Sequence, residues 1–263
     1  MGALAYTSYD SGLSRVLIDL ATVQAAIGSD DTGLVERSAD QIRWTTVRGG
    51  SDVAITAAAP PLADYEFTDG AVNYYRVTPT TSTYTDSITP DLDGAVWVKS
   101  LRFAFLNRAI TVGNVFDGIT RASRSGVFDV IGRSYPVAVS QVRGARQWTL
   151  QIICDGGDEA DAVNAITAAD DLIYLQPPAG SDIPGGYFLV GNTAESWVPG
   201  LRAPLLSWPL TEVAAPGPDV VPVSVTWQAV VDAYATWSDL VAAEATWTDV
   251  LELVGAPGDV YAP

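Results

Sequence analysis

Along residues 146–154 the side chains alternate in character: Trp148, Leu150, Ile152 and Cys154 fall on one side, Gln147, Thr149, Gln151 and Ile153 on the other. A period of two sends successive side chains to opposite faces of a strand, so this stretch predicts a half-buried strand. Cys154 then sits on the core face as a small apolar residue rather than a nucleophile. Short alternations of this kind, broken by turn residues, recur in RVLIDL, QIRWTTV, DVAIT and VNYYRV, and again in LIYLQPP, GYFLVGN and APLLSWPLTEVAA. A chain built this way is expected to be mainly β.

The turn signals divide it. After an N-terminal segment (1–12), residues 13–80 carry the pattern of a small antiparallel sandwich, with Arg48-Gly49-Gly50-Ser51 as a hairpin and Pro60-Pro61 as an edge or turn. Within DYEFTDGAVNYYRVTP an aromatic follows a Gly turn, which resembles the tyrosine corner of fibronectin type III domains, with Tyr75 as the corner residue. Residues 81–94 are rich in Thr, Ser, Pro and Asp and predict a linker. Residues 95–215 predict a second β-barrel or sandwich carrying one α-helix, GGDEADAVNAITAADD, whose first turn holds Asp158, Glu159 and Asp161 where they complement the helix dipole.

Residues 216–263 open with a Gly-Pro linker and then repeat Thr-Trp-x-x-aliphatic-aliphatic every ten residues, placing Trp227, Trp237 and Trp247. On one continuous helix a ten-residue step shifts each Trp by about 80°, so no single stripe results. Thr236 and Thr246, each followed three residues later by Asp239 or Asp249, read instead as N-caps of short helical turns. Each turn carries more apolar area than it can bury alone, so the three Trp side chains are candidate partner-binding residues, in cis or in trans. The competing expectation is one amphipathic helix folded onto its own domain.

Function classes narrow by what the chain lacks. No histidine occurs in 263 residues, which removes the usual general base, the usual metal ligand and every Ser-His or Cys-His nucleophile pair. Asp10-Ser11-Gly12 and Asp31-Thr32-Gly33 resemble aspartic-protease triplets, but neither follows an apolar strand, and both are ordinary turn sequences. No acid sits in a recognisable glycosidase context. Asp30-Asp31 and Asp170-Asp171 lack the spacing of a calcium loop, and no nucleotide-binding glycine loop follows a strand. The expectation is no enzyme, no cofactor and no metal. With one cysteine the chain needs no oxidising compartment to fold, and neither a membrane span nor an export signal is read in it.

The formal charge of −17, from 14 basic and 31 acidic residues, argues against nucleic acid and anionic membrane as partners. Its distribution says more. Residues 97–148 hold eight basic side chains against two acids, while no basic residue follows Arg202. A basic middle and an acidic end invite contact between copies, with Arg143 and Arg146 as candidate partner-binding residues; solvated faces without partners are the alternative.

Taken together, RWTTVRGG, DYEFTDG, VWVKSLRFAFLNRAITV, RSGVFDVIGRSYPVAVSQVRGARQWTLQI, SWPLTEVAAPGPDVV and TWQAVVDAYATWSDLVAAEATWTDVLELVG resemble minor tail proteins of long-tailed actinobacteriophages, over nearly the whole chain and in the order of its modules. The resemblance implies a structural virion component, synthesised in the host cytoplasm and placed at the distal tail or tail tip. There it would link the tube to host-recognition parts, with other tail proteins and further copies of itself as partners and no catalytic residues. The alternative is a carbohydrate- or receptor-binding module that displays aromatic rings to host cell-wall glycan.

Overall fold

Asp19 sets the first departure from strand structure. Its carboxylate accepts from the backbone N–H groups of Ala21 and Thr22 at 3.0 and 3.2 Å, capping a two-turn helix that Gly28 closes in the left-handed conformation (φ +82°). A computed structural model describes this and the rest of the chain over residues 4–113, 118–123, 125–129, 131, 134–135, 137–139, 142–197, 203–217, 234 and 236–243. The first half runs β1 (Thr7–Asp10), β2 (Arg15–Ile18), α1 (Leu20–Ile27), β3 (Asp31–Ser38), β4 (Thr45–Thr46), β5 (Val53–Ile55), β6 (Leu62–Asp64), β7 (Asn73–Pro79) and β8 (Tyr84–Ile88). It forms two antiparallel sheets, β1-β2-β6 and β4-β3-β7-β8, with β5 also on β3. Val16, Ile18, Leu20, Val35, Ile55, Phe67 and Val77 close the core between them.

The second half runs β9 (Val96–Ser100), β10 (Arg108–Val112), β11 (Thr120–Arg121), β12 (Gly126–Phe128), β13 (Val137–Val139), β14 (Arg146–Ile153), α2 (Gly157–Ala169), β15 (Leu172–Gln176), β16 (Gly186–Val190), β17 (Ala194–Trp197), β18 (Pro204–Glu212) and α3 (Trp237–Ala243). Strands β14-β10-β9-β15-β16-β18 pair in that order, and β14 pairs back to β18 over Gln147↔Thr211 to Ile153↔Leu205, closing a six-strand barrel. Closure removes the open edges that a flat sheet of this size would expose. Leu150, Ile152, Ile173, Phe188, Leu206 and Trp208 fill the interior, and α2 adds Ala160, Val163 and Ile166 to the same core. As the alternation predicts, Trp148, Leu150, Ile152 and Cys154 are buried, and Gln147 and Ile153 are exposed. The chain is mainly β, with a barrel that carries one helix.

Three local expectations change, and one helix was not expected. Arg48-Gly49-Gly50-Ser51 is not a hairpin: β4 and β5 both pair with β3, and the chain between them bulges out and returns to the same strand. Gly50 makes this possible, because a Cβ there would stand 2.6 Å from the Val35 carbonyl oxygen. The expected linker 81–94 supplies edge strand β8, whose alternately exposed Thr and Ser explain its low apolar content. Asp86 on that strand accepts three hydrogen bonds from Tyr6 and Thr7, each at 2.8 Å, tying the N-terminal segment to it. The Tyr75 hydroxyl donates to the Asp64 carboxylate at 2.8 Å rather than to backbone, and it is Tyr6 whose hydroxyl reaches a strand carbonyl, that of Tyr75, at 2.9 Å. Helix α1, finally, was signalled only by Asp19 and Gly28, inside a stretch that reads as apolar.

Candidate assembly interface

Between β10 and β14 the chain leaves the barrel. β11 pairs with the start of β14 (Thr120↔Gln147, Arg121↔Arg146), and Gly144 N–H donates to the Ala122 carbonyl at 2.9 Å, carrying the ladder past the barrel end. Beyond this, β12 and β13 pair with each other (Gly126↔Val139, Val127↔Ala138, Phe128↔Val137) and with nothing else among the described residues. This two-stranded element, outside the barrel sheet and between β11 and the Arg146 end of β14 in the chain, is the arm. Its side chains are apolar yet exposed: Phe128 59%, Ile131 103% and Val142 85%, with Val127, Tyr135 and Val139 also open to solvent. The Phe128 ring lies back over Gly126, where a Cβ would stand 2.9 Å from it. Single exposed apolar residues need no explanation, but several of them on and beside one two-stranded element are what an interaction surface presents.

Charge separates the arm from the body. Residues 113–145 hold four arginines (121, 124, 133, 143) and two acids (Asp117, Asp129), a balance of +2; the remaining 10 basic and 29 acidic residues give −19. Of the two arginines singled out from the sequence, Arg143 is exposed on the arm. Arg146 is occupied within its own chain: it faces Glu212 across the β14–β18 pair, with Nε to Oε2 at 2.7 Å and Nη2 to Oε1 at 2.5 Å. The fork of Arg146 holds the Glu212 carboxyl below its ordinary range. The outward-facing role therefore falls to Arg143, and Arg146 clamps the base from which the arm rises.

At the other end of the same strand pair lies a second open element. β17 pairs with β18 over Ala194↔Ser207 to Trp197↔Pro204 and with no other strand among the described residues; all four of its side chains are exposed, Trp197 at 61%. In the C-terminal region, Trp237 opens helix α3. The Thr236 hydroxyl donates to the Asp239 carboxylate at 2.7 Å and accepts from Asp239 N–H at 3.2 Å, the capped turn expected from the sequence. Leu240 is buried and Trp237 is 58% exposed. Trp227 and Trp247 lie outside the described residues.

A buried polar junction joins the first half of the chain to this barrel. Strand β9 is buried on both faces: Val96 and Val98 enter the barrel core, while Trp97 and Lys99 face the first half. Lys99, 1% exposed, donates to the Ser14 and Tyr65 carbonyls at 2.6 and 2.8 Å and to Gln176 Oε1, and Gln176 Nε2 donates to the Phe67 carbonyl at 2.7 Å. Burial pushes the Lys99 ammonium down to about 7, against the pull of the Asp64 and Glu66 carboxylates. Beside it Arg37 pairs with Asp64 at 2.6 Å, and Arg48 pairs with Glu66 at 2.7 Å while also donating to the Tyr187 hydroxyl and the Gly217 carbonyl. Burial, reinforced by Glu66, holds the Tyr187 hydroxyl well above its usual range. Sequence reading missed this network because a lone Lys in a strand looks like an outward-facing polar residue.

No family model matches this chain, and no curated protein matches it. The remaining chemical candidates are bound into local structure. Asp10 accepts from Gly12 N–H and Arg15, and Asp31 from Thr32 and Thr80, so the two carboxylates of the protease-like triplets share no proton. The Cys154 thiol is buried and pushed up to about 11 by that burial. Among the described residues no cluster of His, Cys, Asp or Glu has the make-up of a metal site, and no helix is long and apolar enough to cross a membrane. A cleft of about 440 Å³ opens beside Pro60 and Pro61, but Arg15 and Arg48, which line it, are both committed to acids of the same chain.

Proposed function

We propose that this chain is a structural protein of the distal tail or tail tip of a long-tailed actinobacteriophage, joined to other tail proteins and linking the tube to host-recognition parts. The resemblance of its ordered sequence stretches to minor tail proteins suggests the role. The observation that carries it is the exposed, apolar, basic arm on an otherwise acidic chain, a surface whose water-exposed side chains find cover only in an assembly. In this reading the first half serves as a fibronectin-type-III-like spacer, and the Trp units are docking turns of which α3 is the middle one.

Complementation tests it. Phage lacking the gene is supplied with either the full chain or a chain in which residues 125–139 are replaced by a short Gly-Ser turn. Tagged full-length protein is expected in purified tails, at the tip in labelled micrographs, and the arm-less chain is expected to remain soluble and unincorporated. Saturable binding of the purified monomer to host cell-wall glycan, with no protein in the particle, would instead support the receptor-module alternative. Release of glycan fragments would point to an enzyme.

A further inference from the structure

We propose that strand β13 of the arm pairs with the open edge of β17 on a second copy of this chain, so that copies join head to tail. This rests on the assembly reading above and names the partner of that surface. Both strands offer unpaired backbone groups among the described residues, and neither carries the Lys or Pro that natural edges use to refuse partners. β13 is Val-Ala-Val, wholly exposed and uncharged, with Arg143 following it; β17 carries Glu195 and the half-exposed Trp197. The other arm strand, β12, runs directly into Asp129, a like charge to Glu195, which favours β13 as the pairing edge.

The fold places the two edges at opposite ends of the β14–β18 pair. The arm leaves beside Arg146 and Gln147, opposite Glu212 and Thr211, whereas β17 lies along Pro204 to Ser207, opposite Ile153. Six residues of strand separate these ends, about 20 Å, and among the described residues β13 pairs with β12 and not with the β17 of its own chain. The β17 it meets is that of another molecule. The body it meets is acidic, −19 outside the arm against +2 within it, so the contact is electrostatically favoured. Two different surfaces in contact make a heterologous interface, which closes into a ring or grows as a filament according to its rotation.

Cysteine cross-linking tests the pairing. Ala138→Cys on β13 and Ser196→Cys on β17 are exposed substitutions, and the native Cys154 is buried and does not compete. Under mild oxidation at high protein concentration, a mixture of the two full-length variants is expected to give a disulfide-linked dimer that neither variant forms alone. A mixture of Ser196→Cys with Thr85→Cys, placed on the remote edge strand β8, is expected to give none. Adding Glu195→Arg to the Ser196→Cys partner should cut the yield up to about fivefold at low salt and less at 1 M, where exposed charges are screened. No dimer from the first mixture, or equal dimer from Ala138→Cys alone, overturns the head-to-tail contact. Incorporation into tails, measured separately, would still stand as support for the structural role.

Discussion

Lys99 concentrates at one residue what the sequence alone does not disclose. Its three oxygen partners are contributed by residues 85, 34 and 77 positions away, two of them as backbone carbonyls, so no local pattern announces them. The three acceptors match an ammonium, while burial lowers its pKa to about 7. In the unfolded chain a lysine titrates near 10.4, so between these values the folded protein holds fewer protons than the unfolded one. Stability contributed by this group therefore rises with pH across that window, by up to about 1.4 kcal/mol per pH unit, and is lost as pH falls through 7. Cys154, held up at about 11, works in the opposite direction above about pH 8.5, and Tyr174, raised by burial to about 12, does so above about pH 10. Denaturant unfolding at pH 6.5, 8 and 9.5 is expected to show a steeper upward trend for the native protein than for Lys99→Met. Parallel trends in the two proteins would mean that Lys99 does not change its protonation on unfolding.

At the scale of elements, the barrel strands were legible because one face of each is buried and the other is not, and a period of two survives in the sequence. The polar edge β8 and the bulge between β4 and β5 were not, because exposed strands lack that contrast and a Gly-Gly pair serves a turn and a bulge alike. The Arg146–Glu212 pair illustrates the same gap, since its meaning depends on a β14–β18 register that no local signal fixes. Both partners are partly exposed, so Glu212→Gln is expected to cost no more than about 1 kcal/mol of barrel stability. Trp208 differs: it is fully buried in the barrel core, and Trp208→Ala should cost about 3–5 kcal/mol through lost burial and the cavity left behind. Thermal unfolding of the two variants checks the contrast, and a Trp208→Ala barrel as stable as Glu212→Gln would mean that the closed core is not what holds the arm's base in place.

For the whole molecule, a mainly β chain was readable, yet the relation between its two halves was not. The two halves meet through buried polar contacts, Lys99 and Gln176 on one side and the 14, 65 and 67 carbonyls on the other, together with the Asp69 carboxylate accepting from Ala179 N–H at 2.7 Å. Such a junction aligns the halves directionally, because each hydrogen bond is lost if they slide. From the C-terminal region the Gly217 carbonyl accepts from Arg48 at 2.7 Å, worth about 1.5–3 kcal/mol as a bond to a charged group, and Leu240 of α3 is buried. A chain ending at Ala214 loses that bond and the Trp units but keeps both cores, since every residue of the two buried clusters precedes it. It is expected to unfold in one cooperative transition, slightly below the full chain, and to cross-link through β13 and β17 as well as the full chain does. In complementation it is expected to enter tails poorly, because the Trp units are assigned to other partners than the arm. Normal incorporation of the truncated chain would remove the docking role from Trp227, Trp237 and Trp247 and leave the arm and β17 as the chain's means of assembly.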